Sequence, residues 1–163
     1  NNLKRLIILK MTDIFKNNFK NLLIIIICFT IDRISKYFVI KSSFENVSLN
    51  EFLNIDLVWN TGIGFGLFQL QPDIWYHIFS VFIFSIILIV IYLGLREKSF
   101  IRYGYALIVG GAIGNLYDRI TFYAVPDFID LHYENFHWFT FNIADIFISF
   151  GVIMLIIKDL VFK

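Results

Sequence analysis

The sequence has one cysteine, Cys28, and two prolines among 163 residues. A single thiol excludes an intramolecular disulfide and every CxxC-type zinc or redox motif. Because Cys28 lies inside an apolar run, it is expected to be a small buried hydrophobe. The three histidines, His77, His132 and His137, lack HExxH-like ligand spacing and read as interfacial or loop residues, so neither a metal site nor a cofactor is expected. Charge is also scarce, at 17% of residues and a net +1. Nucleic acid is set aside as a partner on that ground, because binding it needs a concentrated basic face. Internal repeats and long Pro, Gly or Ser linkers are missing too, which leaves one domain.

What the chain does have is apolar surface: 58% hydrophobic and 19% aromatic residues, with a mean hydropathy of +0.73. That is the make-up of an integral membrane protein. Crossing a ~30 Å hydrocarbon core takes about 20 apolar residues. Four stretches qualify, at about 22–40, 74–95, 101–119 and 139–162. The expected fold is therefore an all-α membrane protein of four transmembrane helices, residues 22–163, preceded by a basic segment, 1–21. Lys4, Arg5, Lys10, Lys16 and Lys20 precede the first span, Arg96, Lys98 and Arg102 join the second to the third, and Lys158 and Lys163 lie at the C-terminal end. The positive-inside rule makes these regions cytoplasmic, both termini included. The acid-rich connections, about 41–73 and 120–138, then face outward. In the first of these, partly alternating apolar residues predict short surface strands, with Gly62, Gly64 and Gly66 permitting tight bends. Trp59, Trp75 and Trp138 fall near the outer boundaries, as amphipathic anchors do.

Against this background the polar residues inside the spans stand out, because such groups are costly in hydrocarbon and mark function. In "GGAIGNLYDRI", Asn115, Asp118 and Arg119 project to roughly one side of a helix. A self-satisfied cluster of Asp118 with Arg119 would also account for them. Gly110 and Gly114 form a GxxxG pair suited to close helix packing. The fourth span opens "FNIADIFISFGV", with Asn142 and Asp145 one turn apart. Asn142 reads equally as a helix cap. Asp32 and Lys36, at i and i+4 in the first span, could be a mutual ion pair or part of a site. Asn60 could orient a peptide backbone or make a turn. Asp127 and Asp130 lie just beyond the third span. Several carboxylates at one membrane depth suggest a pair that shares one proton, one group deprotonating water and the other donating to a carbonyl oxygen. No Ser-His-Asp or Cys-His set can be assembled from the outward-facing residues.

These pieces, "DRISK", "NTGIGF", "GGAIGNLYDRI", "VPDFID" and "FNIADIFISFG", occur in an order that resembles the prolipoprotein signal peptidase family (signal peptidase II), intramembrane aspartic proteases of bacteria. The resemblance implies cleavage of a diacylglyceryl-modified prolipoprotein just before its lipidated cysteine, at the outer side of the cytoplasmic (inner) membrane. It implies Asp127 and Asp145 as the catalytic pair. It implies supporting or substrate-binding roles for Asp32, Lys36, Asn60, Gly62, Asn115, Asp118, Arg119, Asn142 and Ala144. The expected partners are the prolipoprotein signal peptide and membrane lipids, and the expected form is a monomer. Ile63 and Gly64 replace the family's usual alanines, and Pro126 its usual valine. The chief alternative is a small proton-coupled transporter using the intramembrane acids as a relay; a purely structural assembly subunit is a third reading.

Overall fold

The computed structural model describes residues 2–42, 47–62, 74–134 and 136–161. Gly64, Gly66 and Ile63 fall outside the described residues, as does the side chain of Trp75. Among the described residues four helices, α1 (Asn2–Ser42), α2 (Ile74–Arg96), α3 (Arg102–Phe122) and α4 (Ile143–Val161), carry a small sheet of β1 (Val47–Asn50), β2 (Leu53–Asn60), β3 (Val125–Tyr133) and β4 (Phe136–Phe141). The strands lie in the order β1-β2-β3-β4, every neighbouring pair antiparallel.

The strands expected between the first two spans are present as β1 and β2. The second pair is a correction. Residues expected as an outer loop form β3, and residues 139–141, assigned to the fourth span, end β4. "FHWFTF" is aromatic and too short for a helix, and such side chains suit a pleated surface. α1 also begins some twenty residues before the first expected span.

Tyr123, at φ 55, ends α3 in the left-handed region and turns the chain into β3. Pro126 pairs with Trp59 of β2. β4 joins β3 only from Ile129 onward, so the proline occupies the opening of the strand, where its missing N–H removes little.

α3 is the centre of the bundle and packs against α1, α2 and α4. Its glycines permit this. A Cβ on Gly110 would stand 2.7 Å from the Cβ of Cys28 on α1, and one on Gly111 would stand 2.5 Å from the carbonyl oxygen of Ala144 on α4. Cys28 is buried against that seam. Ile87, Val109 and Leu116 form an apolar core between α2 and α3. At the opposite end from the sheet, Lys158 of α4 donates to Glu97 at 2.7 Å and ties α4 to the α2–α3 turn.

Exposure is inverted relative to a water-soluble bundle. Val81, Phe82 and Ile89 of α2 are 64%, 59% and 58% exposed, whereas Asp32, Asp118 and Lys36 are 0%, 0% and 1% exposed. Among the described residues one segment, Tyr76–Arg96, is long and apolar enough to cross a membrane on length and composition. The other expected spans all carry ionisable residues.

The α3–α4 contact yields a prediction. Gly111→Ala should destabilise the fold by about 1–3 kcal/mol, because the added methyl must push α4 away. Thermal unfolding in detergent will read this as a lowered midpoint; an unchanged midpoint would mean that the helices are not in close contact.

Candidate active site

The site lies where α1, α3 and α4 meet the sheet, and it begins with a charge problem. Asp32 and Lys36 are one turn apart on α1, and Asp118 projects from α3. Lys36 Nζ donates to Asp118 Oδ2 at 2.7 Å, to Asn115 Oδ1 at 2.8 Å and to Asp32 Oδ2 at 3.1 Å. Arg33 completes the set. Its Nη2 donates to Asp32 Oδ2 at 2.6 Å and to Asp118 Oδ2 at 2.8 Å, while Nη1 bonds Asp118 Oδ1. Two buried carboxylates therefore face two cations. That balance is required, since removing one partner from a buried ionic set leaves an uncompensated charge.

Arg33 was missing from the sequence-based candidates. Its signal was arithmetic: two acids in apolar helices need two cations, and Lys36 supplies one. The Asp32–Lys36 pair is present, but as part of this larger set. Asp118 and Arg119 do not bond each other as a self-contained cluster: Asp118 takes Arg33 and Lys36, while Arg119 donates to the backbone oxygens of Asn115 at 3.1 Å and Gly62 at 3.4 Å. Gly62 in turn donates its N–H to Asn60 Oδ1 at 2.9 Å, so Arg119 and Asn60 fix the turn after β2 between them.

Above the charge set lie Asp127 and Asp145, which no cation among the described residues bonds directly. Asp127, on β3, is 3% exposed. Its oxygens accept from Asn60 Nδ2 at 2.8 Å and Asn142 Nδ2 at 2.6 Å. Asp145, in the first turn of α4, accepts from Asn115 Nδ2 at 2.8 Å and from the backbone N–H of Asn142 at 3.1 Å. Asn142 Oδ1 accepts from the N–H of Asp145 at 3.2 Å. This is a reciprocal cap: the residue before the helix and the third residue inside it satisfy one another's N–H groups.

Asn142 is thus a helix cap and a hydrogen-bond donor to Asp127 at once. Its side-chain oxygen stays with the helix while its amide reaches Asp127. Ala144, fully buried, donates its N–H to Asp32 Oδ1 at 3.2 Å, which anchors the start of α4 to α1. All eleven residues expected to form the site are thereby linked. Asp130, weighed beside Asp127, points elsewhere and lies 2.7 Å from His137 Nδ1 through Oδ2.

Burial pushes the Asp127 carboxyl up to about 6, and the neighbouring charge of Asp145 adds to this, against the amides of Asn60 and Asn142. Two carboxyls so placed resist losing both protons. An acid flanked by another acid, walled from water and supported by neutral amides can pass a proton in either direction. Among the described residues, no group of three or more His, Cys, Asp or Glu side chains could hold a metal ion.

Two solved structures of a bacterial membrane enzyme share this architecture. One superposes with a TM-score of 0.73 at 27% identity, covering 86% of this chain and 87% of that one. The other gives 0.74 at 25% identity, covering 88% and 94%. The fold is therefore that of a bacterial membrane enzyme. The family model described as signal peptidase (SPase) II matches residues 24–161, and the chain belongs to that family. A lipoprotein signal peptidase of Pelagibacter ubique is 46% identical over 152 residues, covering 91% of this chain and 92% of the relative. That of Thermodesulfovibrio yellowstonii is 38% identical, covering 87% and 95%.

Two predictions test the site. Lys36→Met should cost about 3–5 kcal/mol, because Asp32 and Asp118 would share one guanidinium; a thermal midpoint within error of the parent would show that the charges are not interdependent. The raised value of Asp127 sets a pH dependence. The folded state holds the proton up to about pH 6, whereas an unfolded aspartate releases it near ~4. The native protein binds more protons in that window, so stability falls as pH rises from about 4 to 6 and is level above it. Denaturant titrations of parent and Asp127→Asn should diverge across that window; parallel curves would contradict the assignment.

Proposed function

We propose that this protein is a membrane aspartic endopeptidase that removes signal peptides from diacylglyceryl-modified prolipoproteins, cutting before the lipidated cysteine. Membership of the signal peptidase II family supports the reaction. The observation that carries the residue assignment is the bridging of Asp127 and Asp145 by one residue, Asn142, although 18 positions separate them in sequence.

The reaction follows from that pair. Between them the two carboxyls retain one proton. The ionised group takes a proton from a water molecule, whose oxygen attacks the scissile carbonyl carbon. The protonated group donates to the carbonyl oxygen, giving a neutral tetrahedral gem-diol. Collapse of that intermediate breaks the C–N bond: one carboxyl protonates the leaving amine while the ionised one takes the proton of a gem-diol hydroxyl, and one proton is again shared. Asn60, Asn115 and Asn142 hold the acids by neutral amides, which orient them without fixing either as permanently ionised. Arg119, through the carbonyl of Gly62, positions the turn beside Asp127.

Four spans, with both termini at the cytoplasmic side, account for the exposed apolar faces and the Lys and Arg distribution. The sheet and the paired acids then face the outer boundary of the cytoplasmic membrane, where the lipidated cysteine of a precursor resides. Lipid chains meet the protein laterally, and the peptidase domain, residues 22–163, works as a monomer. The scissile segment must unwind, since helical hydrogen bonding shields its carbonyl. A proton relay is disfavoured because Asp32 and Asp118 are bonded to Arg33 and Lys36 in a closed set instead of forming a chain across the bilayer depth.

Purified protein in lipid should cleave a diacylated precursor peptide at the bond before the modified cysteine, as read by mass analysis. Asp127→Asn and Asp145→Asn should each lower the rate by at least about a thousandfold while retaining the helical spectrum; substantial processing by either variant would remove that residue from the mechanism.

A further inference from the structure

Arg119 stands apart from the other buried ions. It is 8% exposed, on α3 one residue after Asp118. Its guanidinium donates to the backbone oxygens of Asn115 at 3.1 Å and Gly62 at 3.4 Å, and among the described residues no carboxylate pairs with it. Asp118 is already taken, since Asp32 and Asp118 balance Arg33 and Lys36 one for one. A guanidinium does not give up its proton, and a buried charge without compensation is strongly destabilising. The opposite charge must come from the next groups within reach.

Those groups are Asp127 and Asp145. Both act electrostatically on Arg119, together with Tyr76 of α2; a tyrosine stays neutral up to about pH 10 and supplies no counter-charge. Two short routes join Arg119 to the acids. On one side Gly62 accepts from the guanidinium and donates to Asn60, which donates to Asp127. On the other, the backbone of Asn115 accepts from the guanidinium while its side-chain amide donates to Asp145. The charge of Lys36 also reaches both acids, but Asp32 and Asp118 offset it. Asp130, further along β3, is turned to His137.

The charge count then has one neutral solution. With Arg33 and Lys36 cancelled by Asp32 and Asp118, Arg119 leaves one positive charge over. If Asp127 and Asp145 both hold protons, that positive charge is unopposed; if neither does, one negative charge is in excess. Only a single proton on the pair brings the buried region to zero.

Building on the proposed peptidase reading, we infer that Arg119 is a positioning residue for the proton: acting across Asn60 and Asn115 instead of by contact, its charge holds the pair of Asp127 and Asp145 at one shared proton. Contact with one oxygen would select which acid is ionised. A charge at one remove favours the loss of one proton and leaves either acid free to keep the other.

The test is the pH profile of precursor cleavage in lipid by the parent, Arg119→Gln and Arg119→Lys. A pair that works with one proton gives the parent a bell-shaped profile. Removing the positive charge favours the protonated forms, so both limbs of the Arg119→Gln profile should move upward by about one pH unit. Its rate at the parent's optimum should fall and recover at higher pH. Arg119→Lys retains the charge, and its profile should keep the parent's position whatever its height. Were the contacts to Gly62 and Asn115 the whole role of Arg119, both variants would be slower at every pH with the limbs unmoved; that outcome, or equal displacement of both profiles, would overturn the inference and leave the peptidase reading intact. If Arg119→Gln is unfolded at about pH 7, circular dichroism and thermal melts should show it folded near about pH 4.5, where both acids hold protons and the buried charges again cancel. Failure to fold at either pH would equally overturn it. A parent that cleaves no diacylated precursor would remove the peptidase reading and this inference with it.

Discussion

The structure depends on one electrostatic constraint: ionised groups withdrawn from water must be balanced where they lie. Asp32, Arg33, Lys36 and Asp118 meet it as a closed set of two acids and two bases. Because members come from α1 and α3, neither helix can rotate or slide without separating opposite charges in a poorly screened interior. Ala144 adds α4 by donating its N–H to Asp32. The set does no chemistry in the proposed reaction. It orients the three helices on which the chemistry is mounted, and that is why the most heavily charged region of the fold is also its least exposed.

The paired acids above it are treated in the opposite way. Asp127 and Asp145 receive amide donors from Asn60, Asn115 and Asn142 instead of formal cations. A cation bonded directly to either carboxyl would hold it ionised and suppress proton sharing. Lys36 and Arg119 lie near enough to be felt, yet their own bonds go to Asp32, Asp118, the side-chain oxygen of Asn115 and backbone oxygens. Full charge compensation in one layer and neutral support in the next divide rigidity from reactivity within a few residues of each helix.

Much of this was legible in the chain. The run lengths marked the helices, and the recurrence of Asn and Asp at helical spacing in "GNLYDRI" and "FNIADIF" marked the faces that converge. Arg33 escaped notice because its role is set by Asp118, 85 positions away, a pairing that local spacing does not encode. β3 and β4 escaped for a related reason. "VPDFIDLHY" is apolar enough for a loop against a membrane, and only its pairing with β2 gives the segment its extended form. The two readings of Asn142 competed in sequence because each uses a different atom of the same amide, and geometry alone reveals that both are engaged.

Asn142 is also the single residue between the end of β4 and the start of α4. With no slack there, a tug on the hairpin reaches both carboxyls through the same residue, Asp127 through its side-chain amide and Asp145 through its backbone N–H. Ala144 pins the same end of α4 to Asp32, so the hairpin is tethered to the bundle at the very point where the two acids meet.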